Sequence, residues 1–284
     1  MLKTAPLAGM QGADFSQNNG AIRWSELDPS IKFVSIRVSC GVDVDSQFKA
    51  NRAAAHALGL PTILYFALVH THSIAQQVQV FLNAVGELLE NETSPCIDWE
   101  VAGVTLADVK AARVLIEGTL NRRPIIYSYP SFITDQHIPA SDSIIECDLW
   151  ISHTGVTHPS IPAPWARAVA WQWCGDDCAG GPIPGVPSSP RVDGDVFLGD
   201  EVAFRAWLLT GVLHQMPPAQ AQQPETPATL LRVENEADTD PSGLVCASEL
   251  PTLPGTPASK SSQRLQAVDA PIVDEAPVTD RSPT

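Results

Sequence analysis

The chain has 284 residues, 44% of them apolar, and a formal charge of −15 from 32 acidic against 17 basic side chains. That is enough for a large buried core, and the acidic balance excludes a surface built to neutralise nucleic-acid phosphates or to rest on anionic lipid. Met1 to Gln17 carries one lysine and no apolar run of leader length, and no stretch approaches a membrane span. The sequence therefore predicts no signal peptide, no membrane insertion, and a chain that is cytoplasmic when made.

The elements follow in order. A short β-run at Ala13–Phe15 opens the chain, and Phe33–Val38 reads as a second strand. Ser46–Leu58 is an alanine-rich helix stopped by Gly59 and Pro61. Thr62–Ala67 is again β. Ser73 caps a helix to about Leu89 with Ala75, Val78, Phe81, Leu82 and Val85 on one stripe. Pro95–Trp99 is a strand. Thr105 caps a helix to Leu120 whose apolar positions include Leu106, Val109, Val114 and Leu115. Pro124–Tyr127, Leu149–Ile151, Val169–Trp173 and Val192–Phe197 are further β-runs, and Asp200–Leu213 is a final amphipathic helix.

Strands alternating with helices, then strands without them, predict an α/β fold. The pattern fits a TIM-like barrel of eight parallel-type strands with helices lost late, spanning residues 1–214. Residues 215–284 hold 11 of the 25 prolines, with 10 acidic and 4 basic residues. Such a segment buries too little surface to offset ordering entropy, so it reads as a disordered acidic Pro-rich tail. Six cysteines are too dilute for a disulfide scaffold. Cys40, Cys96 and Cys147 read as buried reduced thiols, while Cys174-X3-Cys178 is spaced for a small loop disulfide.

The sharpest chemical feature is Ile97-Asp98-Trp99-Glu100 at a strand end. Side chains alternate along a strand, so Asp98 and Glu100 share a face about 6.5–7 Å apart along the backbone. Two carboxyls in a partly dry cleft repel, and one is pushed toward its protonated form, as a proton donor to a glycosidic oxygen requires. Asp14 and Asp193 lie in other strand segments and would meet the pair where a barrel closes. Tyr65, Phe66, Tyr127, Trp150 and Trp173 sit at or near β-run ends, where aromatic faces can stack on sugar rings, and Gln172 can bind hydroxyl or acetamido groups. His70-X-His72 lacks a third ligand, so no metal is expected, and no phosphate-cradling Gly-rich loop calls for a cofactor.

These residues resemble a family. Asp14-Phe-Ser-X-X-Asn-Gly-X-Ile-X-Trp24 is similar to the opening motif of the glycoside hydrolase family 25 lysozymes. Phe33-Val-Ser-Ile-Arg-Val-Ser-Cys-Gly41, Asp45-X-X-Phe-X-X-Asn51, Asp98-X-Glu100, Trp171-Gln172 and Val192-Asp-X-X-Val-Phe197 follow in family order, over about residues 11 to 208. The resemblance implies a barrel of eight strands and five helices that cleaves the β-1,4 bond between N-acetylmuramic acid and N-acetylglucosamine in peptidoglycan. It implies Glu100 as general acid, Asp98 as the group that orients the acetamido or supports the reaction electrostatically, and Asp14 and Asp193 as shapers of the field around them. Cys40 stands where the family often has Glu, and Phe66 where a His is usual. Without a leader, the expected routes to the wall are holin-dependent release or carriage on a virion. The competing readings are a chitinase-like hydrolase, for which Ser94 and Cys96 stand in place of upstream aspartates, and a non-catalytic glycan-binding or virion-structural barrel.

Overall fold

A computed structural model describes residues 9–175, 185 and 192–210. The chain runs β1 (Met10–Phe15), β2 (Phe33–Cys40), β3 (Asp43–Val44), α1 (Phe48–Ala57), β4 (Thr62–Ala67), α2 (Ile74–Val85), β5 (Cys96–Asp98), α3 (Leu106–Leu120) and β6 (Ile125–Ser128). It continues through α4 (Pro130–Asp135), β7 (Leu149–Ser152), β8 (Ala170–Cys174), β9 (Asp193–Phe197) and α5 (Glu201–Thr210). The sheet order is β1-β9-β8-β7-β6-β5-β4-β2-β3, and pairing of β1 with β2 closes eight strands into a barrel, with β3 appended to β2. The tail at 215–284 and Cys178 lie outside the described residues.

Every strand of the barrel is buried on at least one face, and most on both, which is why they read as short apolar runs. Alternation divides their side chains. Phe33, Ile63, Tyr65, Cys96, Ile125, Tyr127, Trp150, Ala170 and Phe197 fill the interior. Val34, Ile36, Leu64, Phe66, Ile97, Ile126, Ile151, Trp171 and Val196 pack outward with Phe81, Val109 and Ile116 of the helices. The helices start where their caps place them. The Ser73 hydroxyl accepts from Gln76 N, and Thr105 forms a capping box with Asp108. Of these, α2 ends earlier than expected, because Gly86 takes a positive φ of 63° at its C-terminus.

Three expectations are corrected. The barrel is mixed: β9 runs antiparallel to both β8 and β1. Val114 and Leu115 of α3 are exposed, and its buried face is Val109, Ala112, Arg113 and Ile116. Of the cysteines, Cys96 and Cys147 are buried and free, whereas Cys40 and Cys174 are disulfide-bonded. β3 and the short α4, which begins with Pro130 at its first turn, carry no periodic signal because each is too short to show one.

Candidate active site

The site lies at the barrel mouth formed by the C-terminal ends of the parallel strands. Asp98 ends β5 and Glu100 follows it two residues on, on the same side. The intervening Trp99 points away, fully buried, with its indole N–H on Val104 O at 2.9 Å and its ring edge-on to Phe132. Trp99 N bonds Tyr127 O at 2.9 Å and the Ser128 hydroxyl donates to Trp99 O at 2.6 Å, so the backbone between the two acids is fixed from β6. Asp98 and Glu100 are 3% and 4% exposed, so charges beside them are screened less than they would be in water.

Asp14 and Asp193 join them because β9 is reversed. Asp193 begins β9, yet it stands directly opposite Asp14 near the end of β1. A strand's N-terminal end thus reaches the catalytic mouth. Asp14 accepts a 2.8 Å hydrogen bond from the Tyr65 hydroxyl. Burial pushes the Asp14 carboxyl up to about 7, against the lowering effects of Tyr65 and Arg37. On the other wall, the Tyr127 hydroxyl and the Ser152 hydroxyl donate to Gln172 Oε1 at 2.7 and 2.8 Å. Gln172 Nε2 in turn donates to Asp193 at 3.2 Å. Burial holds the Tyr127 phenol well above its ordinary value, and the charges of Glu100, Asp98 and Asp193 add to it. Tyr127 is therefore within the field of three of the four acids.

Three of the expected sugar contacts, Phe66, Trp173 and Trp150, are wholly or partly buried. Phe66 is fully buried and stacked on Phe81 of α2, with ring centroids 4.5 Å apart. Strand alternation sends Tyr65 inward and Phe66 to the helix layer. Trp173 is half-buried at the register shift between Gln172 and Cys174, lying over Gly194 and against the outer cluster. Trp150 is inside the barrel but 1% exposed, edge-on to Tyr127 at 5.2 Å, so it supports the tyrosine rather than presenting a face to a sugar.

One acid escaped the sequence reading. Asp195 alternates inward with Asp193 and Phe197 on β9, opposite Gly12 and Gln172. It is fully buried, and neither carboxylate oxygen has a hydrogen-bond partner at normal distance. Burial raises it well above its ordinary value, Asp14 and Asp193 raise it further, and only the Trp150 indole acts in the lowering sense. The Asp-Gly-Asp spacing was its signal, since period two puts both acids on one face. Among the described residues no group of three or more side chains is placed to hold a metal ion, and no helix is long and apolar enough to cross a membrane.

With this geometry in place, comparison with known proteins is specific. The model of the glycosyl hydrolases family 25 matches residues 13–181. Lysozyme M1 of Streptomyces globisporus is 24% identical over 193 residues, which is 62% of this chain and 66% of that one, so the match spans just under two thirds of that relative's length. The bacterial lysozyme from Streptomyces coelicolor superposes with a TM-score of 0.63 at 21% identity, covering 71% of this chain and 98% of that one. A family 25 glycosyl hydrolase from Bacillus anthracis gives 0.61 at 20% identity, over 72% and 96%.

Proposed function

The chain belongs to the glycosyl hydrolases family 25, and on that premise we propose that it is a peptidoglycan muramidase that cleaves the β-1,4 bond between N-acetylmuramic acid and N-acetylglucosamine. The observation that carries this reading is the Asp98/Glu100 pair, buried on one side of the mouth and faced by Asp14 and Asp193.

Glycoside cleavage needs a proton for the leaving oxygen and negative charge for the cationic anomeric carbon. Glu100 is the donor: its proton passes to the glycosidic oxygen as the C–O bond breaks and the bonding pair leaves with that oxygen, after which water adds to the anomeric carbon and gives up a proton that restores the acid. Asp98, which ends β5 two residues earlier, supplies negative charge that either orients the acetamido group or stabilises the positive charge. Asp14 adds anionic field from the side of β1, held in place by Tyr65. Gln172, Tyr127 and Asp193 form a hydrogen-bonded wall that can orient sugar hydroxyls. The fixed partners matter because a preorganised site spends no energy reorganising as charge develops. A non-catalytic glycan-binding barrel would have no use for a strongly desolvated acid pair, whose burial costs stability.

Clearing of purified cell walls, followed as loss of turbidity, tests the reading. Glu100→Gln preserves shape and removes the proton donor. It should slow hydrolysis by about 10²–10⁴, the usual worth of a positioned general acid. Undiminished clearing by a folded Glu100→Gln protein would contradict the assignment.

A further inference from the structure

The polar file Ser35, Arg37 and Ser39 alternates along β2, a strand buried along its whole length. Arg37 is 2% exposed, and its Nε donates to Asp45 Oδ2 at 2.9 Å. Asp45 is also held by two backbone amides, Gln17 N on Oδ2 and Gln47 N on Oδ1, each at 2.9 Å. One carboxylate thus ties the segment after Asp14 and the approach to α1 onto Arg37. As a purely structural device, a buried ion pair gains little over well-packed apolar residues.

This pair adjoins the catalytic wall, since along β2 Ser35 stands opposite Asp14 of β1 and Arg37 stands opposite Tyr65 of β4. The Arg37 charge favours the ionised form of Asp14, and the Asp45 charge opposes it. Arg37 also lies in the field of Tyr65, whose hydroxyl holds Asp14. The other titratable groups facing Asp14 are Asp193 and Asp195 from β9 and Cys96 from β5, while Asp98 acts on the same Tyr65.

We propose that Arg37 is a positioning residue for glycoside cleavage: held by Asp45, its charge favours the carboxylate form of Asp14 on the Tyr65 hydrogen bond, at the wall where positive charge develops. The proposal rests on the hydrolase reading above. Burial alone drives Asp14 toward the neutral acid, which would give no electrostatic support to a cationic carbon. Arg37 and Tyr65 counter that drive, leaving the carboxyl poised at about 7, where a change in either neighbour alters its charge. The guanidinium itself stays charged, because Tyr65, Asp45 and Asp14 together outweigh the cost of its burial.

The test is a carboxyl-carbon NMR titration of Asp14 in the full chain, paired with the pH dependence of kcat on purified walls, for wild type, Arg37→Gln, Arg37→Lys and Asp45→Asn. Arg37→Gln should move the Asp14 step upward by about one pH unit, the lower end of the effect of a neighbouring charge. Well below that step, kcat should fall about tenfold, with KM unchanged, because the ionised fraction falls tenfold. Arg37→Lys should keep the step near its wild-type position. Asp45→Asn should move it downward, since it removes an anion and leaves the cation facing Asp14. A merely structural pair would loosen the wall in both variants and move both steps in one direction. That result, or an unmoved step in Arg37→Gln, overturns the proposal. If Arg37→Gln does not fold, the other two variants decide: a downward step in Asp45→Asn supports the proposal and an upward one overturns it. The titration needs no substrate. Steps that move as expected in the variants, together with a wild-type chain that clears no wall, would therefore overturn the hydrolase reading, and with it Arg37's part in catalysis, while leaving the charge coupling demonstrated.

Discussion

At the scale of single residues, the acids divide by what surrounds them. Asp14 has Tyr65 and Arg37, Asp193 has Gln172, and Asp195 has no hydrogen-bond partner of normal length. Burial therefore favours the protonated form of Asp195 in the folded chain, while in the unfolded chain it ionises near the ordinary carboxylate range. The folded state then binds more protons than the unfolded one, so this residue's contribution falls as pH rises above about 4 and levels off only past its raised folded value. Asp195→Asn, neutral at every pH, should raise the melting temperature at pH 7, and the gain should shrink as pH falls toward 4. A gain that does not change with pH, or a loss that deepens as pH rises, would show Asp195 to be ionised. Most of the candidate site was legible because Asp98-X-Glu100 announces a shared face by period alone. Arg37 was legible in principle, since Ser-X-Arg-X-Ser within an apolar run marks a strand face turned to a polar interior. Phe66 misled because its neighbour Tyr65 does reach the site, and one step along a strand reverses direction.

At the scale of elements, the barrel separates chemistry from closure. The acids sit at the mouth, while Phe33 at the start of β2 and Phe197 at the end of the reversed β9 mark the opposite end. There α5 places Phe204 against Phe197 and Phe33, with ring centroids 4.8 and 5.2 Å apart, and Trp207 stacks beside them with its indole N–H on Asp148 at 3.0 Å. Phe204 is fully buried, so Phe204→Ala should destabilise the fold by about 3–5 kcal/mol in a denaturant titration. Wall hydrolysis at low temperature should persist, because the lost ring is at the far end from Glu100. Loss of activity without loss of stability would place α5 in the catalytic machinery. The strands were legible because doubly buried strands read as apolar runs. The direction of β9 was not, since a five-residue strand carries the same alternation read either way.

For the whole molecule, charge is the feature with the longest reach. The chain carries −15, and a substrate wall rich in anionic polymers would repel it over the Debye length, which shrinks to about 10 Å at 0.1 M salt. Clearing of such walls should therefore speed up at first as ionic strength rises from the lowest values. A steady fall from the lowest salt would reveal a local attraction that outweighs the net charge. The composition shows this field but not the bond that is cut, which depends on which sugar meets the Glu100 proton. Cell walls digested to completion, labelled by borohydride reduction and read by mass spectrometry, answer that question most directly. New reducing ends on N-acetylmuramic acid, formed far more slowly with Glu100→Gln, are the predicted result. New reducing ends on N-acetylglucosamine would contradict it.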